Sequence, residues 1–253
     1  TVVLFGDCFT MYNEPGIGAA AKRVLESLGY EVILADVGCC GRTFLSTGML
    51  EEASDHVDRA IEKLTPFALD DSIGGILVIE PSCASAIKDD WIQLKVAASR
   101  EIRNKIARKT WLVEEFLASR IADHPELERR AKDCEPGAAR APVLFHGHCH
   151  QKALWGAESS AKALRMFAGD RVKVLDSGCC GMAGSFGFGR DKFDLSMRIA
   201  DLALLPAVRG GLSKEPETVV CASGTSCRHQ IHDGAGVKAL HPIELIDRWM
   251  HGG

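Results

Sequence analysis

A doubled cysteine occurs twice in this chain, each time after an apolar run and before a glycine. Val37-Gly38-Cys39-Cys40-Gly41 returns as Ser177-Gly178-Cys179-Cys180-Gly181. Cys8 and Cys83 flank the first pair as Cys149 and Cys227 flank the second. The offsets are 141 residues at the first cysteine, 140 at the pair and 144 at the last. Three matched features at a nearly constant offset are the mark of a tandem repeat. The chain is therefore constrained to fold as two copies of one unit. Closing a disulfide between adjacent cysteines strains the single peptide between them. Two neighbouring thiolates suit metal binding better, because each can reach a different atom of one cluster.

Each half alternates strand-like and helix-like runs. Val2 to Phe5, Tyr30 to Val37 and Ile73 to Ile79 read as strands; so do Pro142 to Phe145, Arg171 to Asp176 and Thr218 to Ala222. Ile17, Ala20, Val24, Leu25 and Leu28 recur at helical spacing, as do Leu50, Ala53, Val57, Ile61 and Leu64. Further helices are expected at about Lys88 to Arg108, Leu154 to Phe167 and Phe193 to Val208. The closing segments also match: Trp111-Leu112-Val113-Glu114-Glu115-Phe116-Leu117 is similar to Leu240-His241-Pro242-Ile243-Glu244-Leu245-Ile246. Strands alternating with helices imply an α/β fold, two pseudo-symmetric repeats of a parallel-sheet β-α-β-type domain. The expected bounds are 1–121 for the first domain, 122–142 for a connection rich in Ala, Pro, Gly and charge, and 143–253 for the second. Functional residues of such sheets gather beyond the carboxyl ends of the strands. All eight repeated cysteines fall there, so residues distant in sequence can share a site.

Charge and cysteine usage narrow the chemistry. A net charge of −4 over 253 residues argues against a partner such as nucleic acid or an anionic membrane surface. Aromatic residues make up 6%, too few for a base-stacking platform. No apolar run approaches the ~18 residues of a membrane span, and no signal peptide is visible. Ten cysteines in such a chain read as cytoplasmic metal or redox chemistry rather than a disulfide framework. Cys134, in the connection, and Cys221, inside an apolar strand, stand outside the repeat and read as bland. Each half supplies four thiols. Four thiols could hold a structural zinc ion, but adjacent cysteines fit one small ion awkwardly. An iron–sulfur cluster has several iron corners, each wanting a thiolate. Iron–sulfur is the expectation for at least one half, with zinc or no metal open for the other.

These motifs resemble the cysteine-rich CCG domain, in two copies that cover the whole chain. They are most similar to the C-terminal part of FAD-linked oxidases of the D-lactate dehydrogenase and glycolate oxidase type. The B subunit of heterodisulfide reductase, the iron–sulfur subunit of glycolate oxidase, the C subunit of anaerobic glycerol-3-phosphate dehydrogenase and lactate-utilisation proteins are related. The resemblance rests on Asp7-Cys8-Phe9-Thr10, Asp36-Val37-Gly38-Cys39-Cys40-Gly41 and Glu80-Pro81-Ser82-Cys83. In the second copy it rests on His146-Gly147-His148-Cys149-His150-Gln151-Lys152, Gly178 to Gly187, and Gly224-Thr225-Ser226-Cys227-Arg228-His229-Gln230. It implies an electron-transfer module that passes electrons from flavin to a quinone or another carrier. Cys8, Cys39, Cys40 and Cys83 would bind one cluster, of the [4Fe–4S] kind, and Cys149, Cys179, Cys180 and Cys227 another. FAD would reside on an absent domain or partner flavoprotein, beside a ferredoxin-like iron–sulfur module. The chain then reads as a fragment or separate subunit, part of an oxidoreductase without its own substrate-oxidising flavin site. It would be cytoplasmic, with a peripheral position on the cytoplasmic face of the membrane open.

One departure bears on mechanism. The fullest family pattern, that of the heterodisulfide reductase B subunit, ends each copy with Cys-x-x-Cys. Here Glu80 and Gly224 replace the first cysteine of that motif. This weakens the alternative of a thiol–disulfide reductase acting at a five-thiol cluster; a zinc-stabilised scaffold is the other alternative. Glu80, His148, His150 and His229 are candidate neighbours of the thiols. Lys152 and Arg228 could offset cluster charge. Arg100, Arg103, Lys105, Arg108 and Lys109 read as a solvated helix face.

Overall fold

The expected strands form two parallel sheets in the computed structural model, which describes residues 1–125, 129 and 141–252. By internal contacts the chain divides into two units, Thr1–Phe116 and Leu117–Gly253. The connection expected at 122–142, with Cys134, lies largely outside the described residues.

In the first unit β1 (Val2–Phe5), β2 (Val32–Ala35), β3 (Ile76–Val78) and β4 (Thr110–Leu112) lie in the order β2-β1-β3-β4, all parallel. β1 and β3 are buried along their whole length, as continuous apolar strands covered on both faces must be. The chain runs from β1 to one neighbour and then to the other. That reversal opens a crevice at the carboxyl ends, where α/β sheets bind ligands. Three short helices begin there: α1 (Cys8–Tyr12), α3 (Arg42–Thr47) and α5 (Pro81–Ser85). α2 (Pro15–Ser27) and α4 (Leu50–Leu69) are the long amphipathic helices, and they bury the residues at the predicted spacing.

The helix expected at Lys88 to Arg108 is interrupted. A π-turn over Ala86–Asp90 runs into α6 (Trp91–Gln93), and the chain breaks before α7 (Arg100–Lys109), which Ser99 caps through Ile102 N–H. The basic stretch on α7 is not wholly a solvated face. Arg103 donates to the carbonyls of Trp91, Ile92 and Leu94 and so stitches the interruption together. α8 (Val113–Ser119) follows β4.

The second unit repeats the plan with β5 (Val143–His146), β6 (Val172–Val174) and β7 (Val219–Ala222) in the parallel order β6-β5-β7. A single parallel bridge from Cys221 to Leu240 stands where β4 stands in the first unit. The matching of Trp111 with Leu240 is thus structural, although the second copy of the strand has shrunk to one residue. The helix expected at Leu154 to Phe167 starts later, as α10 (Glu158–Ala168); before it stands a short α9 (Cys149–Leu154), which the amides of Trp155 and Gly156 end by turning back to the Gln151 carbonyl. The helix expected at Phe193 to Val208 is divided into α11 (Phe193–Ala200) and α12 (Leu204–Lys214). Pro206, which lacks an amide hydrogen, is placed in the first turn of α12, where none is needed. α13 (Thr225–Ala235) and α14 (Pro242–His251) complete the unit. No helix among the described residues is long and apolar enough to cross a membrane.

Candidate metal centre

Every repeated cysteine is set by the element that follows a strand. Cys8 opens α1 and Cys149 opens α9, each as the first helical residue. The cap before each differs. The Asp7 carboxylate accepts from Phe9 and Thr10 N–H at 3.0 Å and from the Thr10 hydroxyl at 2.5 Å. His148 Nδ1 accepts from His150 N–H at 3.2 Å. Cys83 and Cys227 are the third residues of α5 and α13. The paired cysteines lie in the turns after β2 and β6. The amides of Gly41 and Gly181 donate to the sulfurs of Cys39 and Cys179, at 3.4 and 3.3 Å.

The structure brings the four repeated thiols of each unit together. In the first, Cys8 is hydrogen-bonded to Cys39, Cys39 to Cys40, and Cys40 to Cys83, the last at 3.0 Å between sulfurs. In the second the same row runs Cys149, Cys179, Cys180, Cys227. All are free thiols. The outer end of the first row, Cys8, is exposed, Cys39, Cys149 and Cys179 are half-buried, and Cys40, Cys83, Cys180 and Cys227 are buried. Trp91 closes the first row from below, its indole N–H on the Cys40 carbonyl at 2.9 Å. Cys180 and Cys227 pack into an apolar cluster with Leu175, Met182 and Ile231. Among the described residues, no group of three or more His, Cys, Asp or Glu side chains is arranged to hold a single metal ion.

Protons are unevenly shared along each row. Cys39 accepts hydrogen bonds from Cys40 and Cys8, which hold it down to about 2. Cys179 is lowered in the same way by Cys149 and Cys180. The donors of these bonds, Cys8, Cys40, Cys149 and Cys180, are pushed up. The inner ends differ. At Cys83 the hydrogen bond from Cys40 acts downward, but burial and the carboxylates of Asp7 and Glu80 outweigh it and push the thiol up to about 11. Cys227 is held low by its bond from Cys180, with His146 and His148 adding to the effect against burial. The inner end of the first row is therefore flanked by acids and that of the second by imidazoles.

The expected neighbours divide accordingly. Glu80 is buried, caps α5 through Ser82 N–H at 3.1 Å and faces Cys83. His148 is buried against Cys227, and His150 packs edge-on to it at 5.2 Å. His229 is exposed and packs edge-on against Phe188 at 5.8 Å. Gly224, which stands in a cysteine position of the fuller pattern, has no room for a side chain: a Cβ there would meet the His148 ring at 2.4 Å. Lys152 is engaged by the carbonyls of Ser177 and Gly178, just before the second cysteine pair. Arg228 is buried and holds the carbonyls of Ala222 and Ser223, so it braces the loop rather than offering free charge. Sequence reasoning passed over His56, which faces Cys39 from α4; it grouped His146 with His148 and His150 as histidines flanking Cys149 that could supply a ligand, a proton relay or a hydrogen bond, without singling it out. The fold adds that His146 lies beside Cys227.

Comparison with known proteins bears out the resemblance. Residues 2–88 match the family model described as Cysteine-rich domain, CCG. Over 249 residues the chain is 25% identical to the C subunit of anaerobic glycerol-3-phosphate dehydrogenase of Escherichia coli (strain K12), spanning 97% of this chain and 58% of that protein. It is 25% identical over 248 residues to D-2-hydroxyglutarate dehydrogenase of the same organism, spanning 97% and 22%. Lactate utilization protein A of Bacillus cytotoxicus is 27% identical over 197 residues, or 73% of each chain. The chain thus spans between about a fifth and three fifths of the two dehydrogenase relatives.

Proposed function

We propose that this chain, with its cysteine-rich CCG domain, is the iron–sulfur electron-transfer part of a flavin-dependent 2-hydroxyacid dehydrogenase of the D-lactate or glycolate type, as a fragment or a separate subunit. The observation that carries the reading is the convergence, in each unit, of four thiols from three strand ends into one hydrogen-bonded row. Cys8, Cys39, Cys40 and Cys83 would bind one centre; Cys149, Cys179, Cys180 and Cys227 would bind the other. When bound, clusters of the [4Fe–4S] kind would accept and release single electrons.

The donor set fits that group. Metal binding needs thiolates, and each row already holds a thiol close to that form. Backbone amides on the Cys39 and Cys179 sulfurs stabilise negative charge there. The inner cysteines are shielded from water while the outer ones approach the surface, which leaves one side for an electron partner. The relatives named as dehydrogenases or their subunits support a place in such a complex. A flavoprotein as donor and a quinone or another carrier as acceptor belong to this proposal, as does a peripheral position on the cytoplasmic face of the membrane.

Two rivals receive less support. A tetrahedral zinc site wants donors around one point, whereas these sulfurs form a row. A five-thiol, disulfide-cleaving cluster has no fifth cysteine: Glu80 is spent on a helix cap and the His148 ring fills the space over Gly224. The test is reversible reduction. After anaerobic reconstitution with ferrous iron and sulfide, dithionite should bleach the visible absorption and a short-chain quinone should restore it. A colourless protein, or colour indifferent to both reagents, contradicts the proposal.

A further inference from the structure

Among the differences between the two thiol rows is one buried pair of positions near the inner cysteine. In the second unit His146 ends β5 and is fully buried. Its Nδ1 lies 2.8 Å from the hydroxyl of Ser177, two residues before Cys179 and itself buried. Its Nε2 is buried with no hydrogen-bond partner among the described residues, and the ring lies beside Cys227. The repeat supplies the control. Phe5 occupies the position of His146 and Val37 that of Ser177, both buried. The same strand end and turn therefore close with hydrocarbon alone, and the fold does not require the polar pair. Burying an imidazole with one nitrogen unsatisfied costs stability. Metal-ligating histidines are oriented by a hydrogen bond from the other ring nitrogen to an oxygen. Ser177 supplies that bond.

We propose that His146 Nε2 is a fifth metal donor of the second unit, beside Cys149, Cys179, Cys180 and Cys227, so that the second centre is bound by sulfur and nitrogen and the first by sulfur alone. This rests on the iron–sulfur reading above.

The test uses the full chain carrying Cys40→Ser and Cys83→Ser, so that only the second centre forms, grown with 15N-histidine and reconstituted anaerobically with ferrous iron and sulfide. Pulsed electron paramagnetic resonance of the dithionite-reduced protein should show a strongly coupled 15N nucleus. That coupling should vanish in His146→Phe, which copies the first unit, while iron and sulfide remain bound. His146→Gln serves the same purpose should the phenylalanine variant not fold. A bound cluster with no such coupling, or with a coupling that survives substitution of His146, overturns the inference and leaves the electron-transfer reading standing. Absence of iron and sulfide from this background would overturn that reading, and the inference with it.

Discussion

Gly181 meets two demands at once. Its φ is +94°, in the left-handed region, and a Cβ there would stand 2.2 Å from the Ser196 carbonyl oxygen. Gly41 repeats the conformation with a φ of +80° and a milder contact, 3.0 Å to a Val57 methyl. A side chain in left-handed backbone costs about 1–2 kcal/mol before any clash. Gly181→Ala should therefore lower unfolding stability by about 2 kcal/mol or more in urea. Gly178→Ala, where nothing lies within 4 Å, should stay within about 0.5 kcal/mol. Equal midpoints for the two variants would contradict this account of the turn. The eight cysteines and these glycines were legible in the sequence because they repeat. His146 was legible only as one of three histidines around Cys149; what sets it apart is a hydrogen bond with Ser177, 31 residues away, and the contrast with Phe5 and Val37.

At the scale of elements, the strand runs are legible because β1, β3, β5 and β7 are buried on both faces and read as unbroken apolar segments. Helix boundaries were harder to see. Apolar spacing carries across the interruptions at 94–99, 155–157 and 201–203, since the pieces on either side bury faces in the same unit. Lys88 shows how one such interruption is secured. It lies in the π-turn over Ala86–Asp90, donates to the Thr110 carbonyl of β4 at 2.8 Å and sits over the Trp111 ring. Burial lowers its pKa from the ordinary 10.5, with Glu115 opposing. Between that lowered value and 10.5 the unfolded chain binds more protons than the folded one, so this group's contribution to stability rises with pH. The urea midpoint of the wild-type chain should accordingly gain on that of Lys88→Met as pH rises toward 10.5. The thiols titrate in both proteins and cancel in the difference. A gap that is constant or shrinks over this range would show that the amine is not desolvated in its seat.

At the scale of the whole molecule, duplication explains why so much of the architecture could be read in advance. Each repeated cysteine position follows the end of a strand, so the cysteines mark where strands finish, and the order β2-β1-β3 returns as β6-β5-β7. What duplication hides is divergence: the shrunken fourth strand at Leu240, and the acids around Cys83 against the imidazoles around Cys227. We propose that residues 1–121 and 143–253 are the two domains, joined through 122–142, and that each loads metal independently of the other. Iron and acid-labile sulfide per chain, measured after anaerobic reconstitution, test this directly in the wild-type protein and in the pairs Cys40→Ser/Cys83→Ser and Cys180→Ser/Cys227→Ser. Iron and sulfide should appear together, and each pair of substitutions should remove about half of both. Zinc bound without sulfide, or iron unchanged by either pair of substitutions, would contradict the claim that these two rows of thiols exist to hold redox metal.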